Sequence, residues 1–105
     1  MDSEAVIIKI KLSDDECGEP GEREAVYRVE DGLIDLFERS DVGGFDGHEF
    51  GGGFATLYIY GSSADAMAAA VMPLLQTRDH REGSVLIKRF GPPGAPQVAV
   101  SLAHA

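Results

Sequence analysis

Apolar residues alternate with polar ones in some stretches of this chain and recur at helical spacing in others. Residues 6–12 predict a first strand whose even-numbered residues face the core. Residues 22–39 carry an apolar residue at every third or fourth position, which predicts an amphipathic helix with Gly32 inside it. Acidic residues near its start and Arg39 at its end suit the helix dipole, so we expect one continuous helix here.

The most patterned stretch is glycine-rich and extends from residue 43 to residue 61. It predicts a hairpin of two strands, residues 42–50 and 54–60, joined by a glycine turn with positive φ at Gly51–Gly53. The second strand alternates strictly, so one of its sides carries Ala55, Leu57 and Ile59, and the other carries Phe54, Thr56, Tyr58 and Tyr60.

The second half of the chain predicts one more helix and two more strands. Ser62 or Ser63 caps the helix, and Pro73 is expected to kink its last turn. Residues 84–90 predict a fourth strand. A stiff turn of prolines and glycines then leads to residues 97–102, which predict a short fifth strand at a sheet edge.

The order of these elements predicts an α+β fold. Strand, helix, strand, strand, helix, strand is the ferredoxin-like βαββαβ arrangement, an antiparallel sheet with two helices on one face. A short fifth edge strand follows it. A chain of 105 residues suffices for one core, so we expect a single ferredoxin-like domain over residues 1–105. This fold leaves one sheet face open.

We expect the open sheet face to bind a partner, because exposed aromatic patches usually contact something. Alternation assigns to it Ile7, Lys9, Lys11, Thr56, Tyr58, Tyr60, Leu86, Lys88 and Phe90. The preferred hypothesis is a non-enzymatic interaction module that binds a protein partner or forms a homodimer. A small anionic ligand held by the lysines is an alternative. The predicted binding residues are Lys9, Lys11, Tyr58, Tyr60, Lys88 and Phe90.

The charge distribution bears on the choice of partner. The net charge is −9, and the first 41 residues hold thirteen carboxylates against five basic side chains, whereas the remainder holds five against four. This surface repels phosphate backbones. Residues 53–57 share part of the third-strand motif of RNA-recognition motifs, but most of its basic and aromatic positions are replaced, so we expect no nucleic acid partner. The acidic first loop and helix suggest another alternative, an immunity-type protein that neutralises a basic toxin.

The sequence predicts no membrane partner and no disulfide. No apolar run approaches about 18 residues, and the N-terminal residues are acidic where a signal peptide is basic, so we expect a cytoplasmic protein. Cys17 is the single cysteine, and the surrounding carboxylates disfavour its thiolate, which makes it an incidental thiol. We predict no cofactor and no resident metal.

Asp46, His48 and Glu49 are the candidate catalytic residues. In a regular strand Asp46 and His48 share a face, and Glu49 points to the opposite face unless a glycine bulge re-aims it. Asp46 can orient the imidazole for general-base work, or complete a metal site with His80 or His104. Asp-Gly before His is also ordinary turn chemistry, so a small enzyme or metal binder ranks below the interaction module.

Three segments resemble a group of small uncharacterised bacterial proteins: residues 46–53 (DGHEFGGG), residues 57–61 and the turn at residues 91–94. The resemblance covers residues 22–95. It implies a bacterial source and the ferredoxin-like fold. It transfers no activity, because none is known for the group.

Overall fold

The computed structural model describes residues 3–103. In this range the elements follow one another as β1 (Glu4–Lys11), α1 (Pro20–Glu38), β2 (Gly44–Gly51), β3 (Phe54–Gly61), α2 (Ala64–Gln76), β4 (Val85–Arg89) and β5 (Gln97–Ser101). All neighbouring strands are antiparallel, and their order across the sheet is β2-β3-β1-β4-β5. The predicted α+β class, with two helices and a short fifth strand at an edge of an antiparallel sheet, is confirmed.

The predicted core side of β1 is also confirmed. Val6 and Ile8 have no exposed surface, and the register with β3 places Ile59 opposite Val6 and Leu57 opposite Ile8. Apolar side chains of neighbouring strands therefore stack on the same side of the sheet. They form one buried cluster with the apolar stripes of α1 and α2, so both helices cover this side.

The helices begin and end close to their predicted positions. Pro20 lies in the first turn of α1, which therefore starts two residues earlier than expected, since proline suits that position. Ser63 is the cap of α2, and its hydroxyl oxygen accepts a hydrogen bond from the amide of Ala66. Pro73 lies inside α2. Within residues 3–103 no helix combines the length and apolar character of a bilayer span.

Gly32 lies where α1 packs on α2. A Cβ atom at this position would approach Cδ2 of Leu74 to 3.0 Å, closer than side chains normally pack. Helix propensity alone disfavours a glycine inside α1 by about 1 kcal/mol. The close approach of the two helices explains why the position has no side chain.

β2 and β3 form the predicted hairpin, but β2 contains a bulge. The turn residues Gly52 and Gly53 have φ angles of +62° and +86°, the left-handed conformation that a two-residue hairpin turn requires. The pairing shifts between Phe45 and Gly47, so Asp46 is the extra residue. Beyond the bulge, His48 pairs with the core residue Leu57 and lies on the helix side of the sheet.

The prediction that Leu86, Lys88 and Phe90 lie on the open face is wrong. The register with β1 places Leu86 opposite Ile8, on the helix side, and Leu86 is fully buried. Lys88 and, by the same alternation, Phe90 belong to this side as well. Because residues 85–87 are a continuous apolar run, their sequence does not define which of them face the core. Val85, Ile87 and Arg89 lie on the open face instead.

Ser84 joins three strands at one end of the sheet, a role that no sequence pattern predicted. It is fully buried, and its hydroxyl oxygen accepts a 2.8 Å hydrogen bond from the amide of Lys11 at the end of β1. Its carbonyl accepts a 2.9 Å bond from the amide of Leu102, just after β5. Its own amide donates to the carbonyl of Arg81, which fixes the turn before β4.

Candidate functional site

The open face is the side of the five-stranded sheet opposite the helices. Five residues, one from each strand, pair with one another in a line across the centre of this face. We call this line the middle row. It has no charged side chain and contains Gly47, Tyr58, Ile7, Ile87 and Ala99. One flanking row contains Glu49, Thr56, Lys9, Val85 and Ser101. The other contains Gly44, Tyr60, Ala5, Arg89 and Gln97.

The predicted positions of Tyr58 and Tyr60 on this face are confirmed by the register of β3 with β1. The Tyr58 hydroxyl donates a 2.5 Å hydrogen bond to Oε1 of Glu49 on the neighbouring strand. This bond, with burial and the negative charge of Glu49, raises the pKa of Tyr58 to about 12. The phenol therefore stays protonated at neutral pH and holds the carboxylate against the sheet.

Lys9 and Lys11 lie on the open face as predicted, and both approach the ring of Phe54. Their Nζ atoms lie 4.6 Å and 5.4 Å from the ring centroid, within cation–π range. The Nζ atom of Lys11 also donates hydrogen bonds to three backbone carbonyls, those of Leu12, Asp14 and Gly53. Lys11 thus fixes the loop after β1. Lys9 makes no side-chain hydrogen bond within residues 3–103, and it is the lysine of this face that can contact a partner.

Lys88 and Phe90 do not lie on the open face, contrary to the sequence analysis. Nζ of Lys88 lies 2.9 Å from Oδ1 of Asp65, in the first turn of α2 on the helix side. Phe90 follows β4 and is 37% exposed there, and its amide donates to the carbonyl of Pro96. Arg89, which is not among the predicted binding residues, is the basic residue that β4 contributes to the open face.

The three candidate catalytic residues lie in separate environments. Asp46 is exposed in the bulge, and its side chain makes no hydrogen bond or salt bridge within the described part of the chain. Glu49 bonds to Tyr58 on the open face. His48 lies on the helix side, where its Nδ1 is bonded to the carboxylate of Glu30 from α1. Glu30, rather than Asp46, is the carboxylate that orients this imidazole.

His48 belongs to an aromatic cluster between α1 and the edge strand β2. Its ring centroid lies 5.6 Å from that of Tyr27 and 5.5 Å from that of Phe50, both in edge-to-face geometry. The His48 side chain is 34% exposed and that of Glu30 is 15% exposed. Because Glu30 precedes His48 by 18 residues, no local motif indicates the pair. The cluster therefore packs β2 against α1.

The histidines form no metal centre within residues 3–103, where no group of three His, Cys, Asp or Glu residues has the geometry of a metal site. His80 is bonded through Nε2 to the carbonyl oxygen of Leu75, 2.8 Å away. His104, the other predicted ligand, lies outside the described residues.

No protein-family model matches this chain, and no curated protein or solved structure gives a significant match.

Proposed function

We propose that this chain is a non-enzymatic interaction module that forms a homodimer through its open face. The observation that carries the proposal is the middle row, which crosses all five strands without a charge on a chain whose net charge is −9. Neither α1 nor α2 packs on this side, because both contribute to the buried cluster on the other. An uncharged surface that contains tyrosine and isoleucine is suited to a protein contact.

We also propose that the first six elements belong to the ferredoxin-like class. Their order along the chain is βαββαβ, and their four strands are arranged as β2-β3-β1-β4, with both helices on one face. β5 then adds a fifth strand beyond β4. This strand widens the open face by one residue in each row.

A two-fold axis along the middle row makes the open face complementary to itself. Rotation about this axis places the middle row of one copy on the middle row of the other and exchanges the two flanking rows. Lys9 then faces Ala5 of the second copy, and Arg89 faces Val85 of the second copy. No two like charges oppose each other in this arrangement, which is the isologous contact expected of a dimer.

The size of the open face predicts a weak dimer. β1, β2 and β3 have eight residues each, β4 and β5 have five. A rise of about 3.3 Å per residue and a strand spacing of about 4.8 Å give a footprint of roughly 540 Å² per copy. Two copies then bury about 1,100 Å², just below the roughly 1,200 Å² at the lower end of standard interfaces. We therefore expect a dissociation constant in the micromolar range or weaker.

The net charge gives this dimer a characteristic dependence on salt. Two copies of charge −9 repel each other at long range, while their contact surface is nearly neutral. Raising the NaCl concentration from about 20 to about 200 mM shortens the Debye length from roughly 20 to roughly 7 Å. Association should therefore strengthen as salt increases.

Sedimentation equilibrium up to about 1 mM protein tests the proposal. Ile7→Lys places an ammonium group near the two-fold axis in both copies, so we expect the dimer to weaken at least about tenfold. Ile34→Lys is the matched control, because Ile34 is an exposed isoleucine of α1 on the opposite side of the molecule. Circular dichroism checks that both variants remain folded, and Ile87→Lys replaces Ile7→Lys if that variant does not fold.

Three outcomes contradict the dimer. The first is a wild-type monomer at every concentration. The second is an equal loss in Ile7→Lys and Ile34→Lys. The third is a dimer that survives Ile7→Lys and is lost in Val98→Lys. Val98 is a half-exposed residue of the edge strand β5, so this result would show that the two copies pair through their sheet edges.

The acidic surface supports a second candidate, the neutralisation of a basic toxin. The loop after β1 and the outer side of α1 carry eight exposed carboxylates: Asp14, Asp15, Glu16, Glu19, Glu24, Asp31, Asp35 and Glu38. Binding of a basic nuclease to this surface should weaken as salt increases, opposite to the dimer. The sign of the salt dependence therefore separates the two candidates.

A further inference from the structure

A cleft of about 250 Å³ lies on the helix side of the sheet, between α1, the end of β1 and the loop that follows α2. Its floor is apolar and consists of Ile10, Leu12, Ala25, Val26 and Val29. Its rim carries charged and polar side chains of the loop, Arg78, Asp79, His80 and Arg81, with Glu22 of α1 opposite. The cleft is separate from the open face.

Two guanidinium groups at the rim have no partner within residues 3–103. Neither Arg78 nor Arg81 forms a salt bridge or a side-chain hydrogen bond there. The Nε atom of Arg78 is buried without a hydrogen-bond acceptor. Buried donors in folded proteins are nearly always paired, so this N–H group calls for an acceptor. The lining of the cleft carries three basic side chains, Lys11, Arg78 and Arg81, against two carboxylates, Glu22 and Asp79, which is a net positive charge on a chain of net charge −9.

Glu22, on the opposite side of the cleft, already has hydrogen-bond donors for its carboxylate. The carboxylate of Glu22 accepts hydrogen bonds from the amide and the hydroxyl of Ser13. These bonds lower the pKa of Glu22, with a smaller contribution from the charge of Arg81, so it remains a carboxylate. Because Ser13 holds Glu22, the guanidinium groups of Arg78 and Arg81 are left to bind another anion.

His80 forms a fixed wall of the cleft. Its Nε2 lies 2.8 Å from the carbonyl oxygen of Leu75. A carbonyl oxygen only accepts, so Nε2 must carry the proton of this bond. The ring is therefore held in one orientation beside the two arginines, which makes the rim a preformed structure.

We infer that this cleft binds a small molecule with an apolar body and one carboxylate. The body lies on the floor, and the carboxylate accepts hydrogen bonds from Arg78 and Arg81, whose planar donors match carboxylate geometry. At about 20–30 Å³ per non-hydrogen atom, the volume accommodates roughly ten such atoms. The inference does not depend on the proposed dimer.

A titration followed by amide chemical shifts tests this site, with 3-phenylpropionate as the probe and 3-phenylpropionamide as its neutral control. A ligand of this size binds with a dissociation constant in the millimolar range, so the titration extends to roughly 10 mM. We expect shifts confined to the cleft and at least about tenfold weaker binding of the amide, because the amide lacks the charge that the arginines recognise.

Arg81→Gln and Arg78→Gln should each weaken binding of the acid at least about fivefold. Arg28→Gln is the matched control, because Arg28 is an exposed arginine of α1 paired with Glu24, and it should leave the affinity unchanged. Arg81 is exposed, so its variant keeps the test valid if Arg78→Gln does not fold. The inference is overturned by equal binding of acid and amide, by an equal loss in Arg28→Gln, or by no shift in the cleft.

Discussion

Ser84→Ala should destabilise the fold far more than its small change in volume suggests. The substitution removes the oxygen that accepts the 2.8 Å hydrogen bond from the amide of Lys11. Ser84 has no exposed surface, so water cannot take the place of the lost oxygen. A buried donor left without an acceptor costs about 1–3 kcal/mol.

This loss is a large part of the roughly 5–15 kcal/mol that keeps a domain of this size folded. With a urea dependence of about 1–1.5 kcal/mol per molar, it lowers the unfolding midpoint by roughly 0.7–3 M. Urea unfolding followed by circular dichroism measures the shift. Hydrogen exchange supplies a local readout, because the amide of Lys11 should exchange faster in the variant.

Ser101→Ala is the matched control for this experiment. Ser101 is exposed on β5, and its side chain makes no hydrogen bond within residues 3–103, so the expected change is within about 0.5 kcal/mol. A cost of less than about 0.5 kcal/mol for Ser84→Ala contradicts this role of the Ser84 hydroxyl. An equal loss of stability in both variants, or an unchanged exchange rate for the amide of Lys11, contradicts it as well.

Two further predictions concern the hairpin and the open face. Gly53→Ala should lower the free energy of unfolding by about 1–3 kcal/mol, because φ is +86° and a Cβ atom would lie 2.9 Å from a backbone carbonyl oxygen. A Cβ atom at position 51 would meet nothing within 4 Å, so Gly51→Ala should change the free energy of unfolding by less than about 0.5 kcal/mol. Urea unfolding compares the two variants. Tyr58 should ionise above the usual range of a phenol, because its pKa is raised to about 12. Its stabilising contribution is therefore complete below about pH 10 and is lost as the pH rises toward 12. Phenolate absorbance measures this titration, which Glu49→Ala should move to lower pH; an unchanged titration contradicts the assigned hydrogen bond.

The faces of β1 and β3 follow from the sequence because charged or polar side chains interrupt their apolar residues at every second position. Lys9 and Lys11 cannot enter the core, and this assigns Ile8 to it. The same alternation places Tyr58 and Tyr60 on the open face. The two helices are predictable for a similar reason, since their apolar stripes repeat at helical spacing.

The fourth strand and the second strand required the tertiary structure. Three consecutive apolar residues, Val85–Ile87, suit either face, and only the pairing of β4 with β1 determines that Leu86 is buried. In β2, the position of the bulge at Asp46 depends on the pairing with β3, and it decides that His48 faces α1.

Periodicity within single segments was therefore sufficient to predict the elements and their order along the chain. Which side chains meet became visible only in the folded chain: Glu30 with His48, Ser84 with Lys11, and the unpaired arginines with an apolar floor. These contacts join residues from separate segments, and their geometry depends on strand register and helix packing. A local pattern contains no information about either.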